Sequence, residues 1–130
     1  MPHHREPVTA VGAPAAVGPY AHAIRAGGLL FCSGQIPLDP ESGDLVADGQ
    51  SGQTVRCLEN LAAVCAAAGA ELRDAVSLTV YMTDPEGFDE VNRAYAGFFP
   101  SDPPARTLVV VAALPRGAQV AVDAVVALPA

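Results

Sequence analysis

Hydrophobic side chains recur with helical spacing in two stretches of the chain. In the first stretch, residues 51–68, apolar side chains come at intervals of three and four residues, and Gly69 follows as a C-terminal stop. The second stretch begins at Asp84-Pro85, where an aspartate cap precedes a proline suited to the first helical position, and it ends at Phe99. The pattern therefore predicts two helices, each with an apolar face that must pack against another layer.

Six shorter stretches are apolar or alternating and are bounded by turn residues, which is typical of strands. Residues 1–7, before the first of them, are expected to be irregular. Gly27-Gly28 separates two of the stretches, which is the pattern of a tight hairpin. The predicted strands are 8–11, 21–26, 29–32 continuing into Ser33-Gly34-Gln35, 75–82, 107–111 and 118–128.

The predicted elements follow the order β-β-β-α-β-α-β-β. Helices alternate with only some of the strands, so the fold class is α+β, with two helices on one face of a mixed sheet. A chain of 130 residues without repeats, linkers or low-complexity tracts predicts a single domain over 1–130.

The composition changes this picture in two ways. Hydrophobic residues make up 51% of the chain but aromatic residues only 5%, so alanine and valine must fill most of the core. Such an apolar surplus on a small chain favours burial of part of it against other subunits. The net charge of −7 and the scattered positions of the seven basic residues leave no basic face, which disfavours nucleic-acid binding.

The cysteines, three in number and without paired spacing, argue against a disulfide framework. Cys32 lies in an apolar run and Cys57 and Cys65 lie on the first predicted helix, which is typical of buried reduced thiols in a cytoplasmic protein. The chain has no zinc-ligand pattern, no nucleotide-binding glycine motif, no signal-peptide pattern and no apolar run of membrane-spanning length. We therefore expect no metal, no cofactor and no membrane association.

Arg106 directly precedes an apolar predicted strand and breaks its pattern. The residues from Thr107 to Val111 are β-formers or aliphatic, a run typical of a strand buried on both faces. A guanidinium is rarely taken out of water without an anionic partner. The partner is either a distant carboxylate of the protein, with Asp123 on the last strand as the main candidate, or a ligand carboxylate held by the planar fork.

Three further polar residues, Asn92, Ser33 and Tyr20, each have two possible explanations, a role in a functional site or a role in local structure. Asn92 falls inside the apolar stripe of the second helix, where a buried amide needs a partner. Ser33 ends a buried strand directly before Gly34, and its hydroxyl either faces a cleft or completes a turn. Tyr20 follows Gly-Pro on a loop, where its ring either packs against the protein or presents its hydroxyl to a site. His22 is expected at the surface or at an interface.

Together these residues resemble the YjgF/RidA family of reactive-intermediate deaminases, whose members are also labelled endoribonuclease L-PSP or RutC-like. The matching segments run through most of the chain and are Ala13-Pro14-Ala15-Ala16-Val17-Gly18-Pro19-Tyr20, Ser33-Gly34-Gln35-Ile36-Pro37, Val91-Asn92-Arg93-Ala94-Tyr95-Ala96-Gly97-Phe98-Phe99 and Pro104-Ala105-Arg106-Thr107. The resemblance implies a chorismate-mutase-like fold and a homotrimer with a ligand cleft between each pair of subunits.

The resemblance also implies a reaction and roles for individual residues. The reaction is the hydrolysis of 2-imino and enamine acids, released by pyridoxal-phosphate enzymes, to 2-keto acids and ammonia without a cofactor. Arg106 holds the substrate carboxylate, helped by the backbone N–H of Leu108. The implied catalytic residues are Arg106, Tyr20 and Ser33, and the implied substrate-binding residues are Arg106, Leu108, Asn92 and Gly34.

Two positions depart from the family pattern. Leu108 replaces a cysteine, so only its backbone contact is retained, and Ala121 stands where other members have a glutamate that positions water. Asp123 lies on the same face of the same predicted strand but about 6–7 Å further along, too far to substitute directly. Two alternatives follow: a carboxylate-binding trimer without catalysis, or a pathway-specific enzyme acting on another carboxylated intermediate.

Overall fold

The computed structural model describes residues 4–130, which form one six-stranded sheet with two α-helices. The strands are β1 (Glu6–Val8), β2 (Ala23–Ala26), β3 (Leu29–Gln35), β4 (Ala75–Met82), β5 (Ala105–Val110) and β6 (Val120–Ala127). The helices are α1 (Gly49–Ala67) and α2 (Phe88–Ala96), with 3₁₀ turns at Leu72–Asp74, Pro85–Gly87 and Pro115–Gly117. The order of elements predicted from the sequence is confirmed.

The strands lie in the order β1-β2-β3-β6-β4-β5 across the sheet. Neighbouring strands are antiparallel except β4 and β5, which are parallel. Parallel neighbours need a crossover, and α2 supplies it between β4 and β5. Within residues 4–130, β5 is therefore an edge strand that pairs only with β4.

The turn between β2 and β3 is the hairpin that the glycine pair predicts. Gly27 and Gly28 have φ values of 59° and 81°, and Ala26 pairs with Leu29 on either side of them. Two successive positive φ values are typical of a type I′ turn, which matches the twist of the strands and which glycine adopts most easily. The glycines thus set the register of β2 on β3.

Both helices pack on the same face of the sheet, and the core lies between the two layers. Side chains alternate along a strand, so every second residue of the central strands points at the helices. The buried residues on that face of β4 and β6 are Leu78, Val80, Met82, Val120, Val122, Ala124 and Val126, and their main helical partners are Leu58, Leu61, Val64, Val91 and Tyr95.

The opposite face of the sheet, called the open face below, has no helix on it within residues 4–130. It carries Tyr81 on β4, Asp123 on β6 and Phe31 on β3, each in register with a neighbour on the same face. Phe31 is 45% exposed. A single chain therefore leaves apolar sheet surface in water.

The burial expected for the Arg106 strand is wrong. Val109 and Val110 are 37% and 49% exposed, and Arg106 and Leu108 are only half-buried. The run is apolar enough for an interior strand, but the crossover through α2 places β5 at the edge of the sheet. The apolar surplus expected from the composition thus lies at the surface of one chain.

Helices and strands begin and end at the predicted residues where a local signal, such as a glycine or a cap residue, determines the end. β4 covers the predicted residues 75–82. Gly69, with a φ of 77°, ends α1, and the next N–H, that of Ala70, donates to the Cys65 carbonyl. Asp84 caps the turn before α2 by accepting from the Glu86 N–H at 3.0 Å.

Other boundaries were predicted less well. β1 lies at Glu6–Val8 rather than at 8–11, so part of the start expected to be irregular is a strand; residues 1–3 lie outside the described range. α2 ends at Ala96 rather than at Phe99, because two N–H bonds of 3₁₀ type follow it and lead into the loop.

The cysteines Cys32, Cys57 and Cys65 are buried and free, as expected. Between residues 4 and 130, no helix has both the length and the apolarity that crossing a membrane requires. In the same range, no group of three or more histidine, cysteine, aspartate or glutamate side chains is arranged to hold a metal ion.

The start of α2 is tied to α1 through Gln50. The Gln50 amide donates to the Asp84 carbonyl at 3.2 Å and accepts from the Asp84 N–H at 3.3 Å, and the side chain is buried. Gly87 packs directly against this amide, and a Cβ at that position would overlap Gln50 Nε2. The missing side chain of Gly87 therefore lets the two helices meet.

We predict that Gly87→Ala lowers the free energy of unfolding by about 1–3 kcal/mol, because the Gln50 amide must move and lose its bonds to Asp84. The φ of Gly87, −82°, is ordinary for alanine, so the loss comes from the overlap and not from the backbone. Urea denaturation measures it. Gly97→Ala is the matched control: its Cβ would lie 3.5 Å from the nearest atom, and we expect almost no change. Equal effects of both substitutions would contradict the prediction.

Candidate functional site

Arg106 is held at the edge of the sheet by two neutral groups of α2. Its Nη1 donates to Asn92 Oδ1 at 2.7 Å, and its Cζ lies 4.8 Å from the centroid of the Tyr95 ring. Asn92 and Tyr95 are three residues apart on the helix, so both side chains turn towards β5. This group of Arg106, Asn92, Tyr95 and Leu108 is called the arginine cluster below.

No carboxylate within residues 4–130 forms an ion pair with Arg106. Asp123, the intramolecular partner considered from the sequence, accepts a hydrogen bond from Tyr81 Oη at 3.0 Å instead. Asp123 lies on the open face and Arg106 on the helix side, with β4 between their strands. The charge of Arg106 therefore has no anionic partner in the described part of the chain.

Leu108 contributes a backbone donor next to Arg106. Its side chain packs against the core, which leaves its main chain at the edge of the sheet. The Val111 N–H donates to the Met82 carbonyl of β4 at 2.8 Å. Because successive N–H groups of a strand point to opposite sides, the N–H of Leu108 points away from β4 at the free edge.

Tyr20, Ser33 and Gly34 form a second group, called the hydroxyl cluster below. Ser33 Oγ donates to the Ala21 carbonyl at 2.6 Å. Tyr20 is 42% exposed, and its hydroxyl oxygen accepts from the Val17 N–H at 3.2 Å. Gly34 is exposed at an irregularity between β3 and β6, and a Cβ there would meet no atom within 4 Å.

His22, expected at the surface or an interface, is buried in the chain. Its Nδ1 accepts from the Ala10 N–H at 2.9 Å, and its Nε2 lies 2.8 Å from the Pro14 carbonyl oxygen. These two bonds require a neutral ring with the proton on Nε2. His22 therefore fastens the loop that carries Tyr20, and no local sequence pattern indicates its partners, which lie 12 and 8 residues away.

The two clusters do not meet within one chain. β6 and β4 lie between β3 and β5, so three strand spacings, about 14 Å, separate Ser33 from the arginine cluster. Arg106 is on the helix side, whereas Ser33 follows the core residue Cys32 and turns to the open face. Two clefts on the chain, of about 140 and 460 Å³, are lined by residues of neither cluster.

Ala121 lies on the face of the sheet to which Ser33 of the hydroxyl cluster turns. It is in register with Tyr81 across β6 and β4 and lies on the open face, on a strand that adjoins β3. Leu108 lies on the other face, with β4 between them. The two departures from the family pattern therefore cannot touch within one subunit.

Two tyrosines in or near these groups have raised pKa values. The hydrogen bond to Asp123 raises the pKa of Tyr81, because the carboxylate favours the protonated phenol, and burial adds to the effect. Burial raises the pKa of Tyr95, and the nearby charge of Arg106 offsets part of that rise. Sequence reasoning missed Tyr95 as a contact of Arg106; its spacing of three from Asn92 was the available signal.

Comparison with known proteins shows similarity over nearly the whole chain. A family model described as Endoribonuclease L-PSP matches residues 11–128. The RutC family protein y4sK of Sinorhizobium fredii is 46% identical over 123 residues, which are 95% of this chain and 98% of that protein. The 2-iminobutanoate/2-iminopropanoate deaminase of Mus musculus is 39% identical over 121 residues, which are 93% of this chain and 90% of that protein.

Solved structures share the fold. E. coli TdcF with bound serine has a TM-score of 0.90 and 34% identity, over 95% of this chain and 99% of that chain. Such neighbours agree with the α+β, chorismate-mutase-like fold expected from the sequence.

We predict that alkaline pH removes stability that depends on Tyr81. Its pKa is raised by folding, so the contribution is fully present below the ordinary tyrosine pKa of about 10 and is lost as the pH rises through the folded value. Melting temperatures at about pH 9 and pH 11 should therefore differ less in Tyr81→Phe and in Asp123→Asn than in the unaltered protein. Tyr95 contributes equally to all three proteins. Identical pH dependence in all three would contradict the Tyr81–Asp123 hydrogen bond.

Proposed function

The chain belongs to the YjgF/RidA family, and we propose that it hydrolyses 2-imino acids and their enamine tautomers to 2-keto acids and ammonia. The observation that carries the proposal is the arginine cluster. A half-buried guanidinium without an ion-pair partner in residues 4–130, fixed by two neutral groups, suits the carboxylate of a small ligand.

In the proposed complex, Arg106 binds the substrate carboxylate through two parallel hydrogen bonds. Asn92 takes only one N–H of Nη1, so within residues 4–130 Nε and Nη2 remain free for a carboxylate in the plane of the guanidinium. The outward N–H of Leu108 adds a third donor at the same edge. A leucine in place of cysteine does not alter this backbone contact.

The two hydroxyl groups of the hydroxyl cluster have complementary hydrogen-bonding capacity left over, one as an acceptor and the other as a donor. Ser33 Oγ uses its proton on the Ala21 carbonyl, so its oxygen is free to accept a hydrogen bond from water. Tyr20 accepts from the Val17 N–H, so its own proton is free to be donated. We assign Ser33 to orient the attacking water and Tyr20 to deliver a proton to the leaving nitrogen, with Gly34 leaving room for the substrate.

The proposed reaction consumes only water. Water adds to C2 of the imine and one of its protons moves to the imine nitrogen, which gives a carbinolamine. The remaining hydroxyl proton then moves to the amino nitrogen as the C–N bond breaks, which gives the keto acid and ammonia. Such imines also hydrolyse in free water, so correct positioning with modest polarisation accounts for a useful rate. The proposal therefore includes no cofactor.

A shared cleft follows from the distance between the clusters. We propose a homotrimer in which the arginine cluster of one subunit faces the hydroxyl cluster of the next. The exposed apolar residues of the open face and of β5, such as Phe31 and Val109, supply surface for such contacts. The free buried thiols fit a reducing compartment, so the proposal places the protein in the cytoplasm.

The names of relatives support a small carboxylated substrate more than RNA. The mouse relative is named as an imine deaminase, and TdcF holds serine, a small amino acid with a carboxylate. The family model is described as an endoribonuclease, but a net charge of −7 opposes binding of a polyanion.

Ala121 favours a second candidate function. The resemblance implies a glutamate that positions water at this position, where the chain has alanine, whereas the residues that we propose to bind the carboxylate are all retained. The second candidate is therefore a trimer that binds a carboxylate without hydrolysing an imine, or one that acts on a different carboxylated intermediate.

We predict that Arg106→Lys weakens carboxylate binding and imine hydrolysis at least about tenfold, because lysine keeps the charge but loses the two-pronged geometry. A coupled assay that generates 2-iminopropanoate and follows its disappearance measures hydrolysis, and calorimetry with pyruvate measures binding. Arg116→Lys, at an exposed arginine of the turn Pro115–Gly117 and outside both clusters, is the control. Pyruvate binding without accelerated hydrolysis in the unaltered protein would favour the second candidate.

We predict that two variants impaired in different clusters recover activity when their subunits are mixed. Arg106→Lys damages one cluster and Ser33→Ala the other, so random assembly leaves roughly a quarter of the clefts with both clusters intact. The variants are co-refolded at equal concentration, and imine hydrolysis and the assembled mass are measured.

The control for this mixing experiment combines two variants of the same cluster, Arg106→Lys and Asn92→Ala. A cleft formed from them always has a damaged arginine cluster, so no recovery is expected. Recovery in neither mixture, or a monomer mass by light scattering, would show that the site is not shared between subunits.

A further inference from the structure

Tyr95 is the closest aromatic neighbour of the proposed ligand-binding arginine. The Cζ of Arg106 lies 4.8 Å from the centroid of the ring, within the range of a cation–π contact. Tyr95 is 6% exposed, and it is one of the residues of the hydrophobic core. The ring thus forms a buried floor beneath a half-buried charge.

We propose that Tyr95 is a positioning residue, whose ring fixes the plane of the Arg106 guanidinium so that its free N–H groups face a ligand carboxylate. The ligand part of this statement rests on the proposed function. The sequence offers no separate reason to assign Tyr95 to the site, because a tyrosine in an apolar helical stripe is ordinary core.

The geometry requires such a second constraint. A hydrogen bond from Nη1 to Asn92 fixes one corner of the guanidinium but leaves rotation about that bond. A ring beneath the plane removes this rotation, because the flat cation prefers to lie over the aromatic face. Two parallel bonds to a carboxylate form only when the plane is correct, so the ring prepares the group before the ligand arrives.

The ring is itself held in place. Phe99 lies against it with a centroid distance of 4.9 Å and an interplanar angle of 38°. Tyr95 and Asn92 share one helix, so the two contacts to Arg106 keep a constant relation to each other. A movable ring would follow the guanidinium, whereas this ring orients it.

The hydroxyl of Tyr95 is separable from this role. It is buried and has no hydrogen-bond partner within residues 4–130. A phenylalanine ring has the same face and nearly the same cation–π attraction. The inference therefore assigns the positioning to the ring and makes Tyr95→Phe the conservative variant that should retain it.

The binding test compares three variants with pyruvate as the probe. We expect Tyr95→Leu to raise the Kd roughly tenfold, through loss of the ring, and Tyr95→Phe to keep it within about twofold. Phe98→Leu, which removes a partly buried ring of the same segment that makes no cation–π contact with Arg106 within residues 4–130, is the matched control and should leave the Kd unchanged. Equal Kd values for Tyr95→Leu and Phe98→Leu, both folded by melting temperature, would overturn the proposal.

A double variant separates positioning from a general effect of the core. If Tyr95 acts through Arg106, Tyr95→Leu should weaken binding little further once Arg106→Lys is present. Fully additive losses would mean that Tyr95 acts elsewhere and would overturn the proposal. A loss in Tyr95→Phe as large as in Tyr95→Leu would assign the effect to the hydroxyl and refute the role of the ring.

An NMR readout tests the stacking without a ligand, and its main comparison is made on the unaltered protein. The side-chain Nε–H of Arg106 should be shifted upfield by the ring current of Tyr95 relative to the exposed Arg93 and Arg116, and the shift should persist in Tyr95→Phe. An unshifted signal would overturn the positioning role. A shifted signal with no pyruvate binding would instead leave the stacking established and reject the proposed function.

Discussion

The candidate site depends on an arginine that its own chain leaves without an ion-pair partner among residues 4–130. Arg106 is half-buried, and its contacts are an amide oxygen and an aromatic face rather than a carboxylate. An internal ion pair would satisfy the charge but would also compete with any ligand for the same N–H groups. Neutral contacts hold the guanidinium in place and keep its charge available, which is what recognition of a carboxylate requires.

The topology of the sheet supplies the position for this arginine. The parallel pair β4–β5 requires a crossover, which α2 supplies, and the chain returns in β5 at the edge of the sheet. Asn92 and Tyr95 of that helix contact Arg106 on the strand that follows it. Two hydrogen bonds between Gln50 and Asp84 fix the chain directly before the turn that leads into α2. Contacts between the two helices therefore help to position α2, which carries Asn92 and Tyr95.

Sequence patterns predicted the elements that local chemistry determines. The glycine hairpin, the Gly69 stop and the Asp84 cap each depend on neighbours in the chain, and all three are present. The burial of β5 was predicted wrongly, because a valine-rich run does not tell whether a strand is central or at an edge. The partners of Arg106 and His22 are 8 to 14 residues away, and only the folded chain brings them together.

The candidate site is divided into two clusters, and each of the two departures from the family pattern, Leu108 and Ala121, lies on the side of a different cluster. Leu108 lies in the arginine cluster, and the resemblance assigns a contact only to its backbone N–H, which leucine and cysteine provide alike. Ala121 lies on the side of the hydroxyl cluster, and alanine offers no carboxylate where the resemblance implies one. Under the proposed function, binding of a carboxylate is insensitive to the first change, whereas water would be activated by the hydroxyls of Tyr20 and Ser33. Because the two positions lie on different faces and strands, the proposal separates their effects on binding and on hydrolysis.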